Sequence, residues 1–239
     1  MLLAAPGGAT PPTAGDRALL AAADLQRGMP AAFRCELRVE PLAGGSVATF
    51  ELWRDGDFAL VRFRDSRQRG KAFLQRPAGD SQAGTWFLAP HARPVRLSPA
   101  QRLAAGVSLQ EILGLAYSRD YTLEDAQRQP AGRTELVTFW LRARGTGAPY
   151  PRVSYLVRAD TRRPLRIEYR LASGKLARLV ELAEWQPGPR LVPAVMVAKD
   201  LVTGRPPVRI RFLAVETRQP PAHLFELSPA GDAARTALP

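Results

Sequence analysis

Residues 85–121, TWFLAPHARPVRLSPAQRLAAGVSLQEILGLAYSRDY, decide how this chain is read. A short apolar strand, Trp86-Phe87-Leu88, runs into a turn at Pro90 and then into a basic strand. Two short helices follow, each with its own start signal. Ser98-Pro99-Ala100-Gln101 supplies a capping serine, proline at the first helical position and glutamine three residues after the cap. Ser108-Leu109-Gln110-Glu111 repeats the device, with Val107 and Ile112 spaced to close a hydrophobic staple. Leu109, Ile112, Leu113 and Ala116 fall at i, i+3, i+4 and i+7, on one face of the second helix. The flanking chain is mostly strand-like. A small apolar helical insert needs a partner surface, and the face of a sheet is a natural one.

Outward from this insert, residues 16–27 read as a helix that Asp16 caps and Gly28 ends. Phe33, Cys35, Leu37 and Val39 then alternate with Arg34, Glu36, Arg38 and Glu40, the period of a strand with one buried face. Gly44-Gly45 turns the chain into a strand over 47–54, and Asp55-Gly56 is a hairpin signal leading into 57–64. Strands over 71–76 and 86–89 follow. After the insert, 134–142, 153–158 and 165–172 read as strands, whereas Glu124 and Asp125 fall in a loop after Tyr121. Leu165, Ile167, Tyr169 and Leu171 point one way, Arg166, Glu168 and Arg170 the other. Ser173-Gly174 turns into 176–185, Pro187-Gly188-Pro189 breaks the chain, and 191–199 pairs with 208–216 through Thr203-Gly204. About eleven strands joined by short turns imply antiparallel order, because parallel neighbours need long crossovers. The fold class is therefore mainly β: a single antiparallel sheet curled into a half-open β-barrel, with short helices covering its concave face. The domain plan is a flexible segment over 1–15, one half-barrel domain over 16–228 and a flexible tail over 229–239.

Composition narrows the chemistry. Lys and Arg number 34 against 22 Asp and Glu, a formal charge of +12, which invites a nucleic-acid or anionic-lipid partner. Lysine occurs only at Lys71, Lys175 and Lys199, however, and the arginines are spread over nearly every strand. A scattered pattern is not the clustered footprint of a nucleic-acid binder, so no nucleic-acid partner is expected. Cys35 is the only cysteine and sits in an alternating strand as a small apolar residue. His91 and His223 lie far apart, and no metal-ligand spacing, nucleophile elbow, phosphate loop or dinucleotide fingerprint occurs. Asp55 with Asp57 brackets a hairpin glycine, and nothing in the pattern buries Glu124 or Asp125 as an acid–base pair would require. Neither catalysis nor a cofactor is expected. No run approaches the length of a membrane span, and Met1-Leu2-Leu3-Ala4-Ala5 is shorter than a signal h-region.

These segments resemble the outer-membrane lipoprotein-sorting-like proteins, relatives of the carriers LolA and LolB. The block carrying most of the likeness is Trp86-Phe87-Leu88-x-Pro90 with Arg93-Pro94-Val95-Arg96-Leu97-Ser98. Gly106-Val107-Ser108-Leu109-Gln110-Glu111-Ile112-Leu113 and Asp120-Tyr121 continue it. Asp160-x-x-x-Pro164-Leu165-Arg166 and Ser173-Gly174-Lys175 fit the same family, as do Ala23-Asp24 and Arg69-Gly70-Lys71-Ala72-Phe73-Leu74. The resemblance implies a half-open barrel whose apolar cavity, between sheet and helices, receives acyl chains. It also implies a periplasmic location, a lipid or lipidated protein as cargo, and work beside an inner-membrane exporter of the resistance–nodulation–division type.

Residues and resemblance meet on one surface. Each buried methylene contributes about 0.8 kcal/mol, so a cavity taking about ten of them contributes roughly 8 kcal/mol before ordering costs. Candidate liners from the sheet are Phe50, Leu52, Phe139, Leu141, Tyr155, Val157, Ile167, Tyr169 and Leu171. Leu103, Leu109, Ile112 and Leu113 form the cover, and Arg93, Arg96 and Arg102 beside it are candidates for a lipid headgroup or an anionic membrane surface. Trp53 and Trp86 are read as structural. The alternative function is an interaction or sensor module that docks an exporter or envelope partner and binds no lipid.

Overall fold

The computed structural model describes residues 11–27, 31–77, 79–98, 116–145, 148–186 and 192–227. Six strands come first: β1 (Ala32–Pro41), β2 (Ala48–Asp55), β3 (Phe58–Phe63), β4 (Ala72–Arg76), β5 (Gly84–Leu88) and β6 (Val95–Leu97). Seven follow residues 99–115: β7 (Tyr121–Ala131), β8 (Thr134–Ala143), β9 (Arg152–Arg158), β10 (Arg163–Arg170), β11 (Leu176–Gln186), β12 (Val192–Asp200) and β13 (Val208–Glu216). They form one sheet in the order β6-β5-β4-β3-β2-β1-β13-β12-β11-β10-β9-β8-β7, every neighbour antiparallel. The edges, β6 and β7, do not pair, so the barrel is open. Residues 99–115 are the connection from one edge to the other, and the two helices expected there lie outside the described residues.

An open sheet of thirteen twisted strands cannot stay flat. Its curl is visible in one ion pair. Helix α2 (Tyr117–Asp120) directly precedes the edge strand β7, yet Arg119 lies 3.2 Å from Asp57, in the turn between β2 and β3. The inner face is one continuous apolar layer from β1 and β2 round to β8 and β9. Helix α1 (Ala14–Arg27) packs into it through Leu20 and Ala23.

Three local readings are corrected. Thr13, not Asp16, caps α1: its hydroxyl accepts from the Asp16 N–H at 3.1 Å, while Asp16 Oδ2 accepts from the Thr13 N–H at 2.9 Å, a reciprocal capping box. Glu124 and Asp125 lie inside β7, where a bulge opposite Leu141 and Trp140 keeps the pairing despite the polar sequence. The β2–β3 hairpin turns on Gly56-Asp57, one residue later than read, because Gly56 takes a φ of 57° and Asp55 already pairs with Phe58.

The outer face differs between the two halves. Over β2–β5 it is also apolar: Trp53, Leu60, Ala72, Leu74 and Leu88 form a second core. Its cover comes from far along the chain. Leu224 and Phe225, in a 3₁₀ turn over Ala222–Phe225, are buried against it, and Arg76 donates to the Phe225 carbonyl. Beside this patch Glu51 is buried between Arg34, at 2.6 Å, and Arg62, while Arg34 and Arg218 both lie over the Trp53 ring. A buried carboxylate needs such partners. Truncating the strap at its buried ring, Phe225→Ala, is expected to cost about 3 kcal/mol in chemical denaturation and to shift tryptophan emission to the red, as Trp53 gains water.

Candidate functional site

The inner face collects most of the residues singled out by sequence. Phe50 and Leu52 of β2, Phe139 and Leu141 of β8, Tyr155 and Val157 of β9, and Ile167 and Tyr169 of β10 are all buried in one cluster. Leu171 leaves the row. A bulge opposes Tyr169 and Arg170 to Arg178 and Leu176, β10 ends at Arg170, and Leu171 is exposed in the following turn. Leu103, Leu109, Ile112, Leu113 and Arg102 lie outside the described residues. Arg93 is exposed in the β5–β6 turn, whereas Arg96 donates to the Ala83 carbonyl at 2.9 Å, so these two arginines serve different surroundings.

Two aromatic groups line this face. At the β7–β10 side, Tyr117 packs against Tyr121 and Tyr155, with ring centroids 5.6 and 4.7 Å apart, and its hydroxyl meets that of Tyr169 at 2.7 Å. Tyr150 stacks on Tyr169 at 4.8 Å. Burial pushes the Tyr121 phenol well above its usual range, so it stays neutral. Arg178 is directly opposite both Tyr169 and Asp200 in the ladder, and its guanidinium is buried 3.8 Å from the Asp200 carboxylate.

The second group was not anticipated beyond Phe50. Phe50 lies opposite Phe63, and Phe73 opposite Phe87, and the four rings form a ladder with centroids 5.0, 5.5 and 5.3 Å apart. One phenylalanine from each of β2, β3, β4 and β5 thus meets the next. Phe50 and Phe73 are buried, Phe63 and Phe87 only partly so, and the row ends on Val95 of the edge strand, paired with Phe87 and 55 % exposed. The inner face therefore runs from sealed core at Phe50 to exposed Val95 at the edge, with partly open rings at Phe63 and Phe87 on either side of the buried Phe73. Each strand shows its phenylalanine in the sequence, but only the register across three hairpins puts them on one row.

Helix α1 is tied across this face at both ends. Asp16 accepts from Arg128 of β7 at 2.6 Å, and Asp24 accepts from the Ser118 N–H and hydroxyl, each at 2.7 Å. A pocket of about 50 Å³ opens on the other side of β1, where Ala214 bulges with a φ of 47°. Its lining of Arg34, Cys35, Glu36, Glu51, Arg64 and Ala214 is mostly polar. Ligand pockets span roughly 300–1,000 Å³, so this one is too small for a lipid. Burial pushes the Cys35 thiol far above its ordinary value, which makes it unreactive. Among the described residues no group of three or more His, Cys, Asp or Glu side chains is placed to hold a metal ion.

A family model described as an uncharacterized protein matches residues 55–228. No curated protein matches the sequence. A LolA superfamily protein from Nitrosomonas europaea superposes with a TM-score of 0.76 at 18 % identity, covering 88 % of this chain and 96 % of that one. A DUF1329 family protein from Desulfovibrio piger gives 0.75 at 15 % identity, covering 91 % and 98 %. A domain named for outer membrane lipoprotein sorting, from Vibrio parahaemolyticus, gives 0.70 at 14 % identity, covering 87 % and 95 %. At these identities the likeness is one of fold.

The α1 tether is open to a direct test. Burial raises the Asp16 pKa, but the bonds from Thr13 and Arg128 outweigh it and leave the carboxyl below its ordinary value of 3.8. The folded state then binds this proton more weakly than the unfolded chain, so the stabilisation is complete above that value and is lost as pH falls through the lower, folded one. Asp16→Asn is expected to lower stability at neutral pH by about 1–2 kcal/mol and to flatten the acid limb of the stability profile. Urea midpoints measured from neutral pH down to pH about 2 check both effects.

Proposed function

The chain belongs to the uncharacterized family matched over residues 55–228, and from that membership, the LolA-superfamily fold and the partly open inner face we propose that it is a non-enzymatic carrier or binding protein for the acyl chains of a lipid or lipidated protein. The observation that carries the reading is the phenylalanine ladder. It starts in sealed core at Phe50, alternates partly open Phe63 and Phe87 with buried Phe73, and ends on exposed Val95 at the edge. Hydrocarbon is bound by apolar area without directional contacts, and a run of tilted rings along an open edge offers that area.

Under this reading residues 99–115, which join the two edges, supply the cover with Leu103, Leu109, Ile112 and Leu113. The sheet supplies Phe50, Leu52, Phe139, Leu141, Tyr155, Val157, Ile167 and Tyr169 as the floor. Work in the periplasm, beside an inner-membrane exporter, belongs to the same proposal. The electrostatics support the non-enzymatic part. The carboxyls of Asp16, Glu51, Asp80 and Asp160 are all shifted downward, for the two buried ones because arginine and hydrogen-bond partners outweigh burial, so none of them is primed as a general acid near neutral pH.

Native mass spectrometry after gentle purification, together with uptake of a fluorescent fatty-acyl probe, tests the proposal. Co-purified lipid and saturable probe uptake are expected. Phe87→Asp, which places charge on a partly exposed rung and spares the sealed core, is expected to weaken uptake about tenfold or more with the fold retained. Protein that is consistently empty and takes up no probe would sink the carrier reading and leave the lipid-free docking module in its place.

A further inference from the structure

Five hairpin-tip side chains stand out from the otherwise well-buried apolar set. Leu42 and Val47 flank the β1–β2 turn, Leu201 and Val202 the β12–β13 turn, and Leu171 opens the β10–β11 turn. All are between 37 % and 55 % exposed, and they make up five of the seven large exposed hydrophobics among the described residues. These turns are neighbours in space. The Leu42 N–H donates to the Pro207 carbonyl at 2.8 Å, and the Leu201 N–H donates to the Ala177 carbonyl at 2.9 Å. The β3–β4 loop adjoins them, its Arg64 N–H donating to Thr49 at 2.9 Å.

The exposed charges on the same turns are positive apart from Asp65; Asp200, at the foot of the β12–β13 turn, is buried and accepts from the Val202 and Thr203 N–H groups at 3.0 and 2.9 Å. Arg67 and Arg69 on the β3–β4 loop, Arg205 on the β12–β13 turn and Lys175 on the β10–β11 turn are exposed. Asp65 Oδ1 likewise caps its own loop's 3₁₀ turn by accepting from the Arg67 N–H at 2.8 Å. No acidic residue occurs within 42–47, 171–175 or 201–207. Apolar tips interleaved with cations, on loops that project from a rigid sheet, match the two requirements of an anionic bilayer surface: side chains that enter the acyl boundary and charges that meet the headgroups.

We propose that this rim of hairpins is a docking surface for an anionic lipid bilayer. It lies on turns outside the phenylalanine ladder, and it does not require that the interior hold an acyl chain. Phosphatidylglycerol-containing vesicles and pure phosphatidylcholine vesicles, sedimented with the full chain, provide the test. Binding to the former and little to the latter is expected, with affinity falling as salt rises. Lys175→Gln and Arg205→Gln are each expected to weaken binding about fivefold, at roughly 1 kcal/mol per cation near the surface. Leu201→Asp combined with Val202→Asp is expected to weaken it more than tenfold. Leu25→Asp, an equally drastic change at an exposed site on α1, is expected to leave binding intact.

The charge variants leave every apolar position untouched, so they decide the matter even if the aspartate pair unfolds. Absence of binding to the anionic vesicles overturns the proposal, as do rim variants that bind like the parent chain or an equal loss in Leu25→Asp. Acyl-probe uptake, measured on the same rim variants, is expected to be unchanged. Empty protein that still docks through these residues would refute the carrier reading alone.

Discussion

Thirteen strands that never close leave a long apolar inner face with no second sheet to bury it, and most of the structure answers that constraint. Twist alone brings the face round on itself, so that Phe50 and Leu52 of β2 share a cluster with Phe139 and Leu141 of β8. What the curl leaves uncovered needs helices, and α1 is pinned over the gap by polar bonds at its two ends rather than by its modest apolar stripe. Asp16 reaches β7 through Arg128, and Asp24 reaches α2 through Ser118. Partly buried, well-partnered polar contacts of this kind fix where a helix sits, while the area beneath it supplies most of the stabilisation.

The constraint is not uniform along the sheet. Strand β1 alternates, and outside its inner row it carries the charged residues Arg34, Glu36, Arg38 and Glu40. Strands β3 and β4, reading FALVRF and AFLQR, are nearly continuous runs of apolar residues, the pattern of a strand buried on both sides. The second cover they need is the C-terminal strap with Leu224 and Phe225, some 150 residues downstream: Arg76 and Phe225, which hydrogen-bond to each other, are separated by 149 positions. The continuous runs therefore announced that a cover exists without saying which segment provides it. Non-local contacts of this sort are invisible to any periodicity.

The same division explains what could be read in the sequence. Alternation around Cys35 and Tyr169 revealed strands and their inward faces, because a period of two survives even where the partner strand is unknown. Strand β7 was hidden because an edge strand has one neighbour only and tolerates a polar sequence such as LEDAQRQ. Leu171 was drawn into the inner row by strict alternation, but β10 ends at Arg170, where a bulge at Ala177 of β11 interrupts the ladder, and Leu171 falls in the turn. The phenylalanine ladder was spelled out residue by residue in β2–β5, yet it became a feature only through three hairpin registers that sequence spacing does not supply. Leu103, Leu109, Ile112 and Leu113 remain a reading of capping and helical spacing alone.

Charge is where composition misleads and placement informs. A formal +12 suggests a polyanion binder. On the outer face of the strands, however, arginines are interleaved with carboxylates: Arg38 with Glu40 at 2.8 Å, and Arg166 and Arg170 both with Glu168 at 2.6 Å. Such pairs contribute little to stability when exposed, but they cancel the local field that a nucleic-acid backbone would follow. The cations on the hairpin turns escape this cancellation because turn chemistry there favours glycine, proline and serine and supplies few acids. Local excess of positive charge thus gathers at one end of the sheet, beside exposed leucine and valine side chains, and away from the apolar inner face. A protein organised this way separates its cationic turns from its apolar inner face, and it can do so within one sheet because side-chain direction alternates along strands while turns answer to neither face.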